Sequence, residues 1–132
     1  MKKLKDDKIL LAIGNSDVPV GQYTLKIFDF YKLDEKALAK ARKLTYGSNV
    51  KEVTTQIAEG AVDAGIIYQT DAATAKLKVV DNATKEMCGK VIYPAAILKQ
   101  AKNQVETKKF FDYLKTDTAE AIFKKFGFTP VK

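Results

Sequence analysis

At 132 residues, 46% of them apolar, the chain has material for one compact domain with a core and does not read as a disordered tail. A net charge of +7 raises nucleic acid as a partner, but of the 23 basic residues only Arg42 is an arginine, and the lysines alternate with Asp and Glu as on a solvated surface. One cysteine, Cys88, excludes an internal disulfide, the lack of histidine argues against an ordinary zinc site, and no run of about 18 apolar residues offers a membrane span.

The basic start, Met1 to Lys5, is followed by Asp6 and Asp7 and then a short apolar run, so no signal peptide is read there. Residues 9–13 read as a buried strand closed by Gly14. The stretch Gly-Asn-Ser-Asp-Val-Pro-Val-Gly-Gln-Tyr, from Gly14 to Tyr23, leads into an amphipathic helix expected over residues 22–33. Pro19 suits a first helical position, where its missing N–H costs nothing. Val20 and Gly21 then carry amides without a partner inside the helix. Gly21 has no side chain, so another molecule can approach the backbone. A strand that ends in a tight turn and opens a helix is a common anion cradle, although an ordinary βα loop has the same outline.

Asp34 is placed to cap a second helix over residues 35–43, with Ala37, Leu38 and Ala41 on one face. Leu44-Thr45-Tyr46 is short and β-prone, and Gly47 ends it. Ser48 or Asn49 opens the next helix; with Asn49 as the cap, Glu52 closes a box-like cap. Val50, Val53, Ile57 and Ala58 recur at helical spacing until Gly60. Residues 62–68 read as a buried strand, Thr70-Asp71-Ala72 as the start of a short helix, 77–81 as a strand, and 82–90 as a polar loop holding Met87 and Cys88. Residues 91–98 read as extended, with Pro94 marking an edge or crossover strand. Two helices close the chain. One covers residues 105–114, with Phe110, Phe111 and Leu114 together. The other is capped by Asp117 with Glu120, carries Ala119, Ile122, Phe123 and Phe126 on one face, and stops at Gly127.

The alternation of strands and helices predicts an α/β fold with a mainly parallel sheet. In such sheets ligands bind outside the carboxyl ends of the strands. The Val20 amide, the Val50 amide and the Tyr68 phenol then share one rim, a nest of neutral donors for a small anion. Each also has a plainer reading, as core valines and a strand-end aromatic. Catalysis is not expected: there is no histidine, no serine nucleophile elbow and no paired carboxylates on an obvious rim. Asp17, Asp63 and Asp71 read as turn, cap and loop residues, and Cys88 as structural.

Five stretches in order carry a resemblance: Ile13 to Tyr23; Tyr-Gly-Ser-Asn-Val-Lys-Glu-Val from Tyr46; Asp-Ala-Gly-Ile-Ile-Tyr-Gln-Thr-Asp-Ala from Asp63; Val-Ile-Tyr-Pro-Ala-Ala-Ile-Leu from Val91; and Ala-Ile-Phe-Lys-Lys-Phe-Gly-Phe from Ala121. Together they resemble the substrate-binding proteins of molybdate ABC transporters, over nearly the whole chain. The resemblance implies a lobe of a two-lobed, type II periplasmic-binding-protein fold that closes on molybdate or tungstate. Carried over by motif, the oxyanion is bound by the Val20 and Val50 amides and the Tyr68 hydroxyl, on loops shaped by Pro19, Gly21, Ser48 and Asn49. No cofactor and no metal ligand is implied, since the ligand is the oxyanion itself. The implied partner is an ABC permease, not nucleic acid, and the implied location is extracytoplasmic, in the periplasm or as a cell-surface lipoprotein.

The family's other lobe, which comes first and supplies serine side chains, has no counterpart here, so the chain is expected to be a C-terminal part that holds half a site and binds weakly alone. Residues 1–93 are expected to form the binding lobe, and 94–132 the crossover strand and the helices that return towards the other lobe. The apolar faces of those helices are expected to fold onto the remaining lobe or to pair with a second copy, as a homodimer. Two other functions fit the same residues: a cytosolic oxyanion sensor of this fold, and a basic nucleic-acid-binding module, which salt-sensitive DNA binding would identify.

Overall fold

A computed structural model describes residues 9–130. It divides into one unit that runs to Val91 and a second that starts at Ile92.

The first unit is built around β1 (Leu11–Gly14), whose four residues are all buried. β1 pairs in parallel with β2 (Leu44–Gly47) and with β3 (Ala64–Gly65), giving the order β2-β1-β3. Leu11 stands opposite both Leu44 and Ala64. Parallel neighbours need crossovers, and helices supply them. α1 (Pro19–Phe30) and α2 (Glu35–Lys40) join β1 to β2, and α3 (Val50–Ala58) joins β2 to β3. The strand period of two sends alternate β1 side chains to opposite faces. Leu11 and Ile13 pack with Phe28 and Leu44 on one face, supported by Leu33, Leu38 and Ile66. Ala12 packs with Val53 and Val62 on the other, supported by Leu10, Ile57 and Ile67. The start of β3 is pinned to β1 twice: Leu10 N–H donates to Asp63 Oδ2 at 2.8 Å, and Asp63 N–H to the Leu10 carbonyl at 3.0 Å.

Each of the three strands ends in glycine. A Cβ at Gly14 or Gly47 would sit 2.6 Å from Val20 Cγ1 or 2.8 Å from Val53 Cγ2, and one at Gly65 would strike Ile57. The missing side chains let α1 and α3 lie close on the sheet's carboxyl end.

Several expectations need correction. α1 starts at Pro19, before residue 22, and ends at Phe30, where Lys32 turns with φ 53°. α2 likewise stops at Lys40, with Arg42 at φ 57°. Residues 62–68 contribute only the two-residue β3. Residues 77–81 form no strand, and β3 is too short an edge to template one; Val79 and Val80 are exposed. The segment expected as a polar loop contains a helical turn, α5 (Lys85–Cys88), packed on α1 with Cys88 buried. It follows the short α4 (Gln69–Thr74).

In the second unit residues 92–98 form no strand, so the expected crossover strand is absent there. α6 (Gln104–Tyr113) is capped by Asn103, and α7 (Asp117–Lys125) by Thr116, with the expected cap Asp117 as its first helical residue. The Phe128 ring meets Tyr93 and Phe123 edge-on, at 5.3 and 6.2 Å between centroids.

Candidate functional site

Because the sheet is parallel, the carboxyl ends of β1, β2 and β3 lie on one edge, and the loops to α1, α3 and α4 leave from it. The three residues singled out above all fall where these loops enter their helices. Val20 is the second residue of α1, Val50 the first of α3, and Tyr68 the residue before α4.

The β1–α1 loop is shaped by Asn15. Its Oδ1 accepts from Asp17 N–H at 3.2 Å, its carbonyl accepts from Val18 N–H at 3.3 Å, and its own N–H donates to the Gly47 carbonyl at 3.0 Å. The last bond ties the first loop to the end of β2. The residue before α1 is Val18, whose side chain has no oxygen, and the first turn holds no acidic residue. Gly21 and Gln22 donate back to the Val18 carbonyl at 3.0 and 3.1 Å. Among the described residues the Val20 amide donates to no protein acceptor. Its side chain is buried, so Val20 is a core residue through its isopropyl group and a free donor through its backbone. A Cβ on Gly21 would overlap the Asn15 carbonyl, which fixes glycine there on space alone.

The β2–α3 loop is organised differently. Asn49 Oδ1 caps the helix by accepting from Glu52 N–H at 2.9 Å. The Glu52 carboxylate reaches back to Ser48, accepting from its N–H at 2.7 Å and its hydroxyl at 2.8 Å, and also takes Asn49 Nδ2 at 3.2 Å. The result is a capping box displaced by one residue. The Ser48 amide, then the Ser48 hydroxyl, hold the Glu52 carboxyl below its ordinary range. The Ser48 amide and hydroxyl and the Asn49 side-chain amide are thus engaged, whereas the Val50 amide has no protein acceptor among the described residues.

Tyr68 is half-buried and precedes α4, which has no side-chain cap. Its ring stands edge-on to Tyr23 of α1, 6.5 Å between centroids at 78°. Tyr46, also near this end of β2, bonds instead to Glu35 Oε1 at 2.7 Å. Burial first, and then the bond to Glu35, push its phenol up to about 12. Among the described residues no group of three or more Cys, Asp or Glu is placed to hold a metal ion.

The arrangement therefore offers, at two helix N-termini on one rim, backbone amides with no acceptor among the described residues. The pattern of the bacterial extracellular solute-binding proteins matches residues 1–129. The chain belongs to that family. It is a family of solute-binding proteins rather than of enzymes, and the parallel α/β lobe is periplasmic-binding-protein-like. Among curated relatives, this chain is 36% identical over 126 residues to YvgL of Bacillus subtilis (strain 168), a protein named as an ABC transporter substrate-binding lipoprotein. It is 32% identical over 128 residues to the molybdate-binding protein ModA of Escherichia coli (strain K12). These matches take in 95% and 90% of this chain but 47% and 46% of the relatives, so the chain spans about half their length.

Two contributors to the rim escaped the sequence reading. Asn15 had a signal, the Asn-Ser-Asp turn composition. Tyr23 is recognisable only from its spacing, one turn after Val20, and nothing local foretells its meeting with Tyr68.

Proposed function

We propose that the chain is the substrate-binding component of an ABC transporter for molybdate or tungstate, and that it contributes the Val20 and Val50 amides and the Tyr68 hydroxyl to the oxyanion site. The observation that carries this reading is the uncapped start of α1. Most helices here close their first turn with a side-chain oxygen, as α2 does with Asp34, α3 with Asn49 and α6 with Asn103. α1 has a valine there, and its Val20 amide has no acceptor among the described residues. A helix N-terminus left without its own acceptor suits an external anion. The likeness to ModA supports the choice of oxyanion.

The donor chemistry favours the same class. A fully deprotonated dianion accepts from every donor it meets. Protonated phosphate needs an acceptor for its own hydrogen, and the Glu52 carboxylate is already occupied by Ser48 and Asn49. No cofactor enters this reading. The permease is the membrane partner, the site of action is extracytoplasmic, and a second copy of the chain pairs through the exposed apolar side chains of α6 and α7.

Titration of molybdate into the chain, followed by backbone amide NMR, tests the site. The expected result is weak binding with the largest shifts at Val20 and Val50. Tyr68→Phe should weaken it by roughly ten- to a hundredfold, the worth of one donor to a charged ligand. Shifts confined to surface lysines would overturn the reading. Sedimentation across a concentration series tests the pairing, and a strictly monomeric species at high concentration would end it.

A further inference from the structure

Tyr68 lies on the short segment between β3 and α4, just after Ile66 and Ile67 of the two core clusters. β3 stops at Gly65, and α4 is six residues long. The Ile66 amide donates to the Ala12 carbonyl at 3.0 Å, a backbone tie to the sheet two residues before Tyr68. A tyrosine on such a segment has two side-chain torsions to fix. The structure supplies a fixed neighbour. Tyr23 belongs to α1, a twelve-residue helix whose next turns are anchored by buried Thr24, Ile27 and Phe28. Its ring stands edge-on to that of Tyr68, in the orientation that aromatic quadrupoles favour. One turn further, the Lys26 ammonium lies over the Tyr23 ring, 5.5 Å from its centroid. A cation over the ring face adds a second contact that holds Tyr23. Val20, Tyr23 and Lys26 thus form one ridge along α1, three residues apart, and Tyr68 leans on its middle member.

We propose that Tyr23 is a positioning residue for Tyr68: braced by Lys26, it keeps the Tyr68 ring beside the first turn of α1, where the Val20 amide is presented. What the Tyr68 hydroxyl then does rests on the oxyanion reading given above; the positioning itself does not.

The test has two arms, run on the whole chain. The first needs no ligand. The ring protons of Tyr68 are followed by NMR in the wild type, in Tyr23→Leu and in Tyr23→Phe, which keeps the ring and drops only the hydroxyl. Tyr23→Leu should move the Tyr68 ring resonances and erase their cross-peaks to position 23, and Tyr23→Phe should preserve both. Unchanged Tyr68 resonances in Tyr23→Leu overturn the proposal, whatever the chain binds. The second arm measures molybdate affinity in Tyr23→Leu, Tyr68→Phe and the double variant. If Tyr23 acts through Tyr68, each single variant loses a similar factor, roughly ten- to a hundredfold, and the double variant loses no more than Tyr68→Phe alone. Losses that multiply in the double variant overturn the proposal, since a general structural role would add to the lost hydroxyl. A wild type that ignores molybdate sinks the oxyanion reading for this chain, and the first arm then decides the positioning alone.

Discussion

The two units of the chain solve the same problem in opposite ways. The first closes around a strand buried along its whole length, and distant parts of the sequence meet on it: Leu11 with Leu44 and Ala64, Ile13 with Phe28. The second relies on near neighbours. Its ion pairs among the described residues join Lys108 and Lys115 to Asp112, Lys109 to Glu106 and Lys124 to Glu120, all between positions three or four apart. Ala119 is its one buried apolar residue among those described, while Phe110, at 63% exposure, and Val105, at 65%, face outwards. The caps repeat the contrast. Asp34 and Asn49 receive their helix amides at 2.9 Å, whereas Asn103 and Thr116 receive theirs at 3.3 and 3.4 Å. Local hydrogen bonds suffice to shape a helix pair, but burial is what makes a structure expensive to undo.

The sharpest way to break this contrast is to attack the lobe's core. Phe28→Ala should cost about 3–5 kcal/mol, and Phe110→Ala under about 1 kcal/mol, in urea unfolding. Equal losses would mean that α6 has a covered face after all. Next in size are the caps. Asn49→Ala should cost about 1 kcal/mol, and Thr116→Ala less, with its effect confined to faster hydrogen exchange in the first turn of α7. Two pH effects are smaller. Tyr46 has its phenol raised above the unfolded value of 10.0, to about 12, so its contribution is complete below pH 10 and is lost as pH rises towards 12. Tyr46→Phe should flatten that alkaline decline in a stability-against-pH series. Glu52 has its carboxyl lowered from 4.5, so its contribution is present above that value and fades as pH falls through the folded one. Glu52→Gln should remove that part of the acid limb. The least effect belongs to the surface ion pairs of α6, which added salt should leave without a measurable change in melting temperature.

How much of this was legible beforehand follows the same division between local and distant causes. Helix starts at Asp34 and Asn49 are written in neighbouring residues, and the sequence announces them. The order of strands and helices, and hence the rim, follows from the same local signals. The strand expected at 77–81 rested on valine's preference for pleated surfaces, and that preference needs a partner edge that β3 does not offer. The helical turn at Lys85–Cys88 is not legible locally because its reason lies against α1 and the residue after it, Tyr31, which donates to Met87 Sδ at 3.8 Å. At the rim, Val20 and Val50 could be placed from the helix starts alone. The contact of Tyr23 with Tyr68 could not, because it joins α1 to the start of α4, forty-five positions away in the chain.

The central place of β1 also bears on how the lobe comes into being. Translation delivers β1 before either of its neighbours, and the two ends of the Leu10–Asp63 bond are 53 residues apart. Until that distance has been made and closed, one edge of this apolar strand has nothing native to pair with. Closing so long a loop costs only a little more free energy than closing a short one, but it takes time. The strand that organises the finished lobe is therefore also its most vulnerable segment during synthesis, made first and satisfied last.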